Sequence, residues 1–92
     1  MATEILAIGT GVASSADVVV TASTPLTVGL KDAAGPVVYG GRVTIQIKAD
    51  NGEYFDVDEL NAPTRLALVI AGAGTYRFQR IPESPSCGVF SA

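Results

Sequence analysis

The heptapeptide RVTIQIK, from Arg42 to Lys48, decides the fold class of this chain. Apolar and polar side chains alternate through it without interruption, and valine or isoleucine stands at every second position. A period of two places successive side chains on opposite faces of an extended strand, and β-branched residues favour that conformation. The stretch therefore predicts a half-buried β-strand with one face in a core and the other in water.

The same alternation recurs on both sides of this stretch. Leu26, Val28 and Leu30 repeat it, and so do Tyr76 and Phe78, while no segment has the 3.6-residue period of a convincing helix. We expect these apolar residues to point into one core. The pattern predicts strands near Thr3–Ile8, Asp17–Thr21, Leu26–Lys31, Arg42–Lys48, Tyr54–Asp58, Arg65–Ile70, Thr75–Arg80 and Cys87–Phe90.

Turn residues separate the predicted strands. Asn51-Gly52 is the pair favoured in a type I′ hairpin turn, and the glycine-rich run Ala71–Gly74 predicts a second hairpin loop. Pro82 and Pro85 end any strand after Arg80. About 7–8 short strands at this spacing predict an all-β fold, a single antiparallel β-sandwich or small barrel that forms one domain over residues 1–92.

Composition removes several classes of function. The 92 residues contain no histidine and only one cysteine, Cys87, so Ser–His–Asp and Cys–His catalysis and zinc sites are not expected. Six basic residues and a net charge of −3 argue against a nucleic-acid partner. The apolar run Ile5–Ile8 is too short to span a membrane. We therefore expect no cofactor, no nucleic acid and no membrane partner.

An acidic cluster surrounds the predicted hairpin, and its members are Asp50, Glu53, Asp56, Asp58 and Glu59. The segment lacks the residue order of a calcium-binding loop, and Asp56 and Asp58 are expected to share a solvent face with Tyr54. Solvated charges explain the cluster best. A calcium site and a catalytic pair of Asp56 with Glu59 remain alternatives, although we do not expect an enzyme.

Two predicted strands carry the candidate contact residues for a protein partner. Only 16% of the residues are charged, which suits a mild surface that packs against other subunits, although a small alanine-rich domain without that role would have the same composition. Arg80 follows Gln79 and so departs from the outward register, but it lies near the strand end and arginine favours interfaces. The candidates are Arg42, Thr44, Gln46 and Lys48 on the first strand and Arg77, Gln79 and Arg80 on the second. A solvated strand face without a partner is the alternative.

The segment from Gly72 to Arg80, between Leu66–Ile70 and Ser86–Phe90, resembles small structural proteins of tailed bacteriophages. The hairpin Asp50–Phe55 and the opening Thr3–Leu6 fit the same resemblance. It implies a virion protein of the capsid decoration or cement type, which clamps neighbouring major capsid subunits from outside the head. No residue-level role comes with it.

The resemblance implies partners and a location as well. The partners would be the major capsid protein and copies of the chain itself, with a homotrimer on threefold or quasi-threefold positions as one form. The protein would be made in the bacterial host cytoplasm and reside on the capsid exterior. The alternative is a ligand- or carbohydrate-binding module of a phage tail or fibre, for which Tyr39, Tyr54 and Phe90 are the candidate exposed aromatics.

Overall fold

The computed structural model describes residues 3–32, 40–62 and 64–91, and within these ranges every regular element is a β-strand. No helix in those ranges is long and apolar enough to cross a membrane. The strands are β1 (Thr3–Gly9), β2 (Ala13–Ser14), β3 (Val18–Val20), β4 (Leu26–Lys31), β5 (Arg42–Lys48), β6 (Tyr54–Asn61), β7 (Ala67–Ile70), β8 (Gly74–Arg80) and β9 (Cys87–Ser91).

The strands form two antiparallel sheets that pack face to face, which confirms the predicted all-β sandwich. Sheet I has the order β1-β9-β4-β7. Sheet II has the order β2-β8-β5-β6. β3 also pairs with β8, on the same side of β8 as β2 but further along the strand. The strand predicted at Asp17–Thr21 is thus the second half of an interrupted edge strand, because β2 and β3 lie one after the other along β8.

Most connections cross from one sheet to the other. Among the described strands, β5 and β6 are the one consecutive pair that forms a hairpin. The predicted hairpin at Ala71–Gly74 is wrong, because β7 pairs with β4 in sheet I whereas β8 pairs with β5 in sheet II. This glycine-rich segment is a crossover, and local sequence does not distinguish a crossover from a hairpin.

The core lies between the sheets and contains the apolar residues of the alternating pattern. Val43 and Phe78 of sheet II have no exposed surface, and Val28 and Val89 of sheet I are equally enclosed. The predicted inward positions of β4, β5 and β8 are therefore confirmed. Burying an aliphatic or aromatic side chain of this size contributes about 1.5–3 kcal/mol, so these contacts dominate the stability of the sandwich.

The hairpin between β5 and β6 is confirmed, but its turn is not type I′. That turn needs a positive φ at both central residues, and only Gly52 has one, at 89°. The amide of Gly52 donates to the carbonyl of Ala49 at 3.0 Å, and the amide of Ala49 donates to Glu53 at 2.7 Å. The loop therefore has three residues, with glycine in the left-handed position that a bulged hairpin requires.

The proline-rich segment after β8 ends the strand as predicted. The amide of Ser84 donates to the carbonyl of Ile81 at 3.3 Å, which closes a turn with Pro82 in its second position. Glu83, in the third position, has a φ of 64°. A proline followed by a residue with positive φ is typical of a type II turn, so the chain reverses here and enters β9 in the other sheet.

Candidate functional site

Six of the seven predicted contact residues lie on the solvent side of sheet II. β5 and β8 are neighbours, and their register places Gln46 beside Arg77 and Thr44 beside Gln79. The alternation that turns Ile45 and Phe78 into the core turns these polar side chains outward. We call this surface the outer face of sheet II, and its residues are Asp17, Arg42, Thr44, Gln46, Lys48, Tyr54, Asp56, Glu59, Arg77 and Gln79.

Hydrogen bonds join the centre of this face across three strands. Arg77 donates to Oε1 of Gln46 from Nε at 2.9 Å and from Nη2 at 2.6 Å. Gln46 donates from Nε2 to Oδ1 of Asp56 at 3.0 Å and to Oε1 of Gln79 at 3.3 Å. The Gln46 amide thus holds side chains from β6 and β8 in place on either side of β5.

An aromatic ring and a carboxylate extend the network to the end of the hairpin. The guanidinium carbon of Arg77 lies 3.6 Å from the centroid of the Tyr54 ring, a distance typical of cation–π stacking. The Tyr54 hydroxyl donates to Oδ1 of Asp17 at 2.6 Å, and Nζ of Lys48 lies 3.1 Å from Oδ2 of the same carboxylate. The segment before β3, strand β5 and strand β6 therefore meet at Asp17.

These contacts shift three titrations at the surface. The hydrogen bond from Tyr54, followed by that from Lys48, lowers the pKa of Asp17 from its ordinary 3.8. The bond to Asp17 raises the pKa of Tyr54 above 10.0 and that of Lys48 above 10.5. The contribution of Asp17 to the free energy of unfolding is present above its ordinary pKa and is lost as pH falls through the lowered pKa. The contributions of Tyr54 and Lys48 to the free energy of unfolding are lost as pH rises through their raised pKa values.

We expect Tyr54→Phe to raise the pKa of Asp17 towards 3.8, because the hydroxyl is the largest cause of its depression. Carbon-detected NMR titration of the Asp17 carboxyl measures this directly. Tyr76→Phe is the matched control, since the Tyr76 hydroxyl donates to the carbonyl of Gly72 at 2.8 Å and does not contact Asp17. An Asp17 titration that is the same in the Tyr54→Phe variant and the parent protein would contradict the assignment.

Arg80 is the one predicted contact residue that does not lie on this face. Its side chain points into the sandwich and is only 4% exposed. Nε donates to the carbonyl of Gly11 at 2.8 Å, and Nη1 donates to those of Ala7 and Cys87 at 3.0 and 2.9 Å. The prediction that Arg80 meets a partner is therefore wrong. Its guanidinium bonds to the protein's own backbone and ties sheet II to β1 and β9.

A β-bulge changes which acids reach the outer face. Ile45 pairs with Asp58 and Gln46 pairs with Asp56, so Val57 has no partner in the register. The prediction that Asp58 shares the face of Tyr54 is wrong for this reason: Asp58 lies opposite the inward Ile45 and binds Arg65 at 2.7 Å. Glu59, opposite Thr44, takes the outer position instead.

A shallow groove of about 370 Å³ lies beside this bulge. Its polar end is an ion pair in which Oε2 of Glu59 is 2.9 Å from Nε of Arg42. That oxygen is covered and is not aligned for a hydrogen bond, so the pair is a charge contact rather than a directed bond. The residues that line the groove are Arg42, Thr44, Asp56, Val57, Asp58, Glu59 and Ile81.

The structure also bears on the predicted alternatives, a metal site and the candidate exposed aromatic residues. In the part of the chain that the structure describes, no group of three or more histidine, cysteine or acidic residues is placed to hold a metal ion. The Arg77 guanidinium stacks on the Tyr54 ring. Phe90 is half-buried, and its ring lies so close to Gly29 that a Cβ there would be 2.9 Å from it. Tyr39 lies outside the described residues.

Sequence reasoning missed Asp17 as a member of the outer face. In the structure Val20 is buried at 3% exposure and Val19 is 71% exposed, and Asp17 shares the parity of Val19. No sign of this alternation is present in the sequence, because valine stands at all three positions from Val18 to Val20. The distance of Asp17 from Tyr54 along the sequence also hid the contact.

The outer face can offer a partner both hydrogen-bond donors and acceptors from side chains that are already held in place. Its guanidinium, amide and carboxylate groups bind one another in a continuous network rather than converging on a cavity. Comparison of the chain with protein-family models, with curated proteins and with solved structures finds no match.

Proposed function

We propose that this chain is a non-catalytic structural protein that binds other protein subunits through the outer face of sheet II. More specifically, we propose that it is a decoration protein on the outside of a tailed-bacteriophage head. The observation that carries the proposal is that the predicted contact residues of two strands, β5 and β8, share one ordered surface.

The order of that surface favours binding. Fixing a long, flexible side chain at an interface costs about 0.5–1.5 kcal/mol, and side chains that are held before docking avoid part of that cost. Arg77 is held by Gln46 and by the Tyr54 ring, and Lys48 is held by Asp17. Arginine and tyrosine are also the residues most enriched where protein interfaces bind tightly.

The assignment to a phage head rests on the resemblance of the segments around Gly72–Arg80. A small rigid sandwich with few charges suits a subunit repeated at equivalent positions of a symmetric shell. The partners we propose are the major capsid protein and further copies of this chain.

The first test is co-sedimentation of the purified chain with empty shells assembled from the major capsid protein of the same phage. Size-exclusion chromatography with light scattering supplies the oligomeric state in the same preparation. We expect a monomer or trimer that sediments with the shells. A chain that stays in the supernatant and is absent from mass spectra of intact virions would refute the proposal, and a hit on a glycan array would favour the tail-module alternative.

We expect Thr44→Arg to weaken shell binding by about tenfold, because a bulky cation in the middle of the outer face blocks close contact with the partner. Thr27→Arg is the matched control. Thr27 is an exposed threonine on β4, a central strand of sheet I, and lies on the opposite side of the sandwich. Both variants should melt within a few degrees of the parent. Equal binding by the two variants would show that shells do not use the outer face of sheet II.

A further inference from the structure

β6 is an edge strand. It lies at one end of sheet II, and within residues 3–32, 40–62 and 64–91 only β5 pairs with it along its length. An edge strand carries a row of backbone amides and carbonyls that a further strand can bind.

The carboxyl-terminal half of this edge is already occupied. The amide of Glu59 donates to Oδ1 of Asp58 at 2.8 Å, and Asn61 exchanges two backbone hydrogen bonds with Arg65 at 2.8 and 2.9 Å. The amino-terminal half, from Tyr54 to Val57, has no such cover among the described residues. An incoming strand therefore has a defined place to begin.

Two apolar side chains mark the same open half. Phe55 is 52% exposed although it pairs with Ile47, whose side chain packs against the core. Val57, the unpaired residue of the bulge, is 51% exposed and lines the groove. One apolar contact is thus available at the margin of the core and another beside the groove.

The acidic residues around the open half of β6 favour a basic partner strand. Asp50, Glu53 and Asp56 form no ion pair among the described residues. Asp56 also lines the groove, where the two other carboxylates are already paired with arginines. A second copy of β6 would place these acids near the same acids of its partner, and repulsion between like charges destabilises a strand pair. A strand with lysine or arginine between apolar residues would match both the charges and the exposed Phe55 and Val57.

We propose that the open half of β6, Tyr54–Val57, binds an extended segment of a different protein in which basic and apolar residues alternate, so that the segment becomes a further strand of sheet II. This edge-strand inference depends on the proposed function in one respect, which is the source of the segment: we assign it to a capsid subunit. The acids of the hairpin exclude a second copy of the chain while they attract a basic partner.

The test uses a short peptide of alternating lysine and valine, capped at both ends, titrated into the ¹⁵N-labelled chain at millimolar concentration. We expect amide shift changes and slower hydrogen exchange at Tyr54–Val57. A peptide of alternating glutamate and valine should bind at least several-fold more weakly. Asp56→Asn should weaken the lysine peptide about threefold, because one cross-strand charge contact is lost.

Thr10→Lys is the matched charge control. It changes the net charge by the same amount at an exposed loop position on the β2 side of the sandwich, away from β6, and we expect unchanged peptide binding. Shift changes spread over other strands, no changes at all, equal binding of both peptides, or self-association that protects Tyr54–Val57 without peptide would each overturn the proposal.

The shell assay separates this proposal from the proposed function. Peptide binding at β6 by a chain that ignores shells would leave the edge site standing and remove the capsid role. Shell binding by a chain whose β6 does not respond to the lysine peptide would keep the capsid role and overturn the edge site.

Discussion

We expect Arg80→Met to lower the free energy of unfolding by about 3 kcal/mol and the midpoint of thermal unfolding by on the order of 15 °C. The Arg80 side chain is 4% exposed and donates three hydrogen bonds to backbone carbonyls of Ala7, Gly11 and Cys87. Methionine fills similar space without any donor. It therefore leaves buried acceptors without partners, which is the costly part of removing a buried hydrogen bond.

Arg80→Lys is expected to be destabilising as well, because a single ammonium group cannot reproduce the planar fork that reaches two strands and a loop. Arg65→Met is the control, since Arg65 forms an exposed ion pair with Asp58 and such pairs contribute about 0–1 kcal/mol. Urea unfolding followed by circular dichroism measures all three variants. An Arg80→Met protein as stable as the parent would mean that the guanidinium does not join the sheets.

Gly88→Ala is the second change with a large expected effect, a loss of about 3 kcal/mol or more. A Cβ on Gly88 would lie 2.5 Å from the carbonyl oxygen of Leu6 and 2.9 Å from the amide nitrogen of Ile8. Both atoms belong to the backbone of β1, where the register with β9 shifts between Leu6 and Gly9. Backbone cannot rotate aside as a side chain can, so β1 must move away from β9.

Gly72→Ala is the matched substitution for this test. Its new Cβ would come within 3.3 Å of the Tyr76 hydroxyl, the far end of a side chain that can shift. We expect Gly72→Ala to change the unfolding midpoint by only a few degrees, while Gly88→Ala also exposes the β1 amides to hydrogen exchange. Equal stability of the two variants would contradict the close approach of β1 to Gly88.

The sequence predicts much of this fold because alternation is a local property. RVTIQIK became β5 with the predicted boundaries, and its three apolar residues belong to the core or pack against it. The same parity places Arg80 inward, since Tyr76, Phe78 and Arg80 are two residues apart, while its charge and its place near the strand end argued for the surface. Backbone carbonyls satisfied that charge, and no sequence pattern identifies carbonyls contributed by distant strands.

The candidate site was predictable only in part, for a related reason. Gln46 and Arg77 share a face because their strands alternate, and the pairing of β5 with β8 brings them together. The bulge that moves Glu59 onto this face depends on how β6 meets β5, and one extra residue reverses the side on which every later residue points. Such a shift is decided by pairing, so the local pattern of Tyr54–Asp58 does not contain it.

The pairing of β1 with β9 has a consequence for biosynthesis. Thr3 lies opposite Ser91, and β9 is the one strand that pairs with β1 among the described residues, so β1 is synthesised well before its neighbour in sheet I. Among the described strands, β5 and β6 are the sequence neighbours that pair with each other, and the other pairings join strands that are further apart along the chain. Domains whose strand pairings are this distant along the chain fold in milliseconds to seconds rather than microseconds. Such pairings leave early segments unpaired during translation. β1 therefore joins sheet I only after β9 has been made.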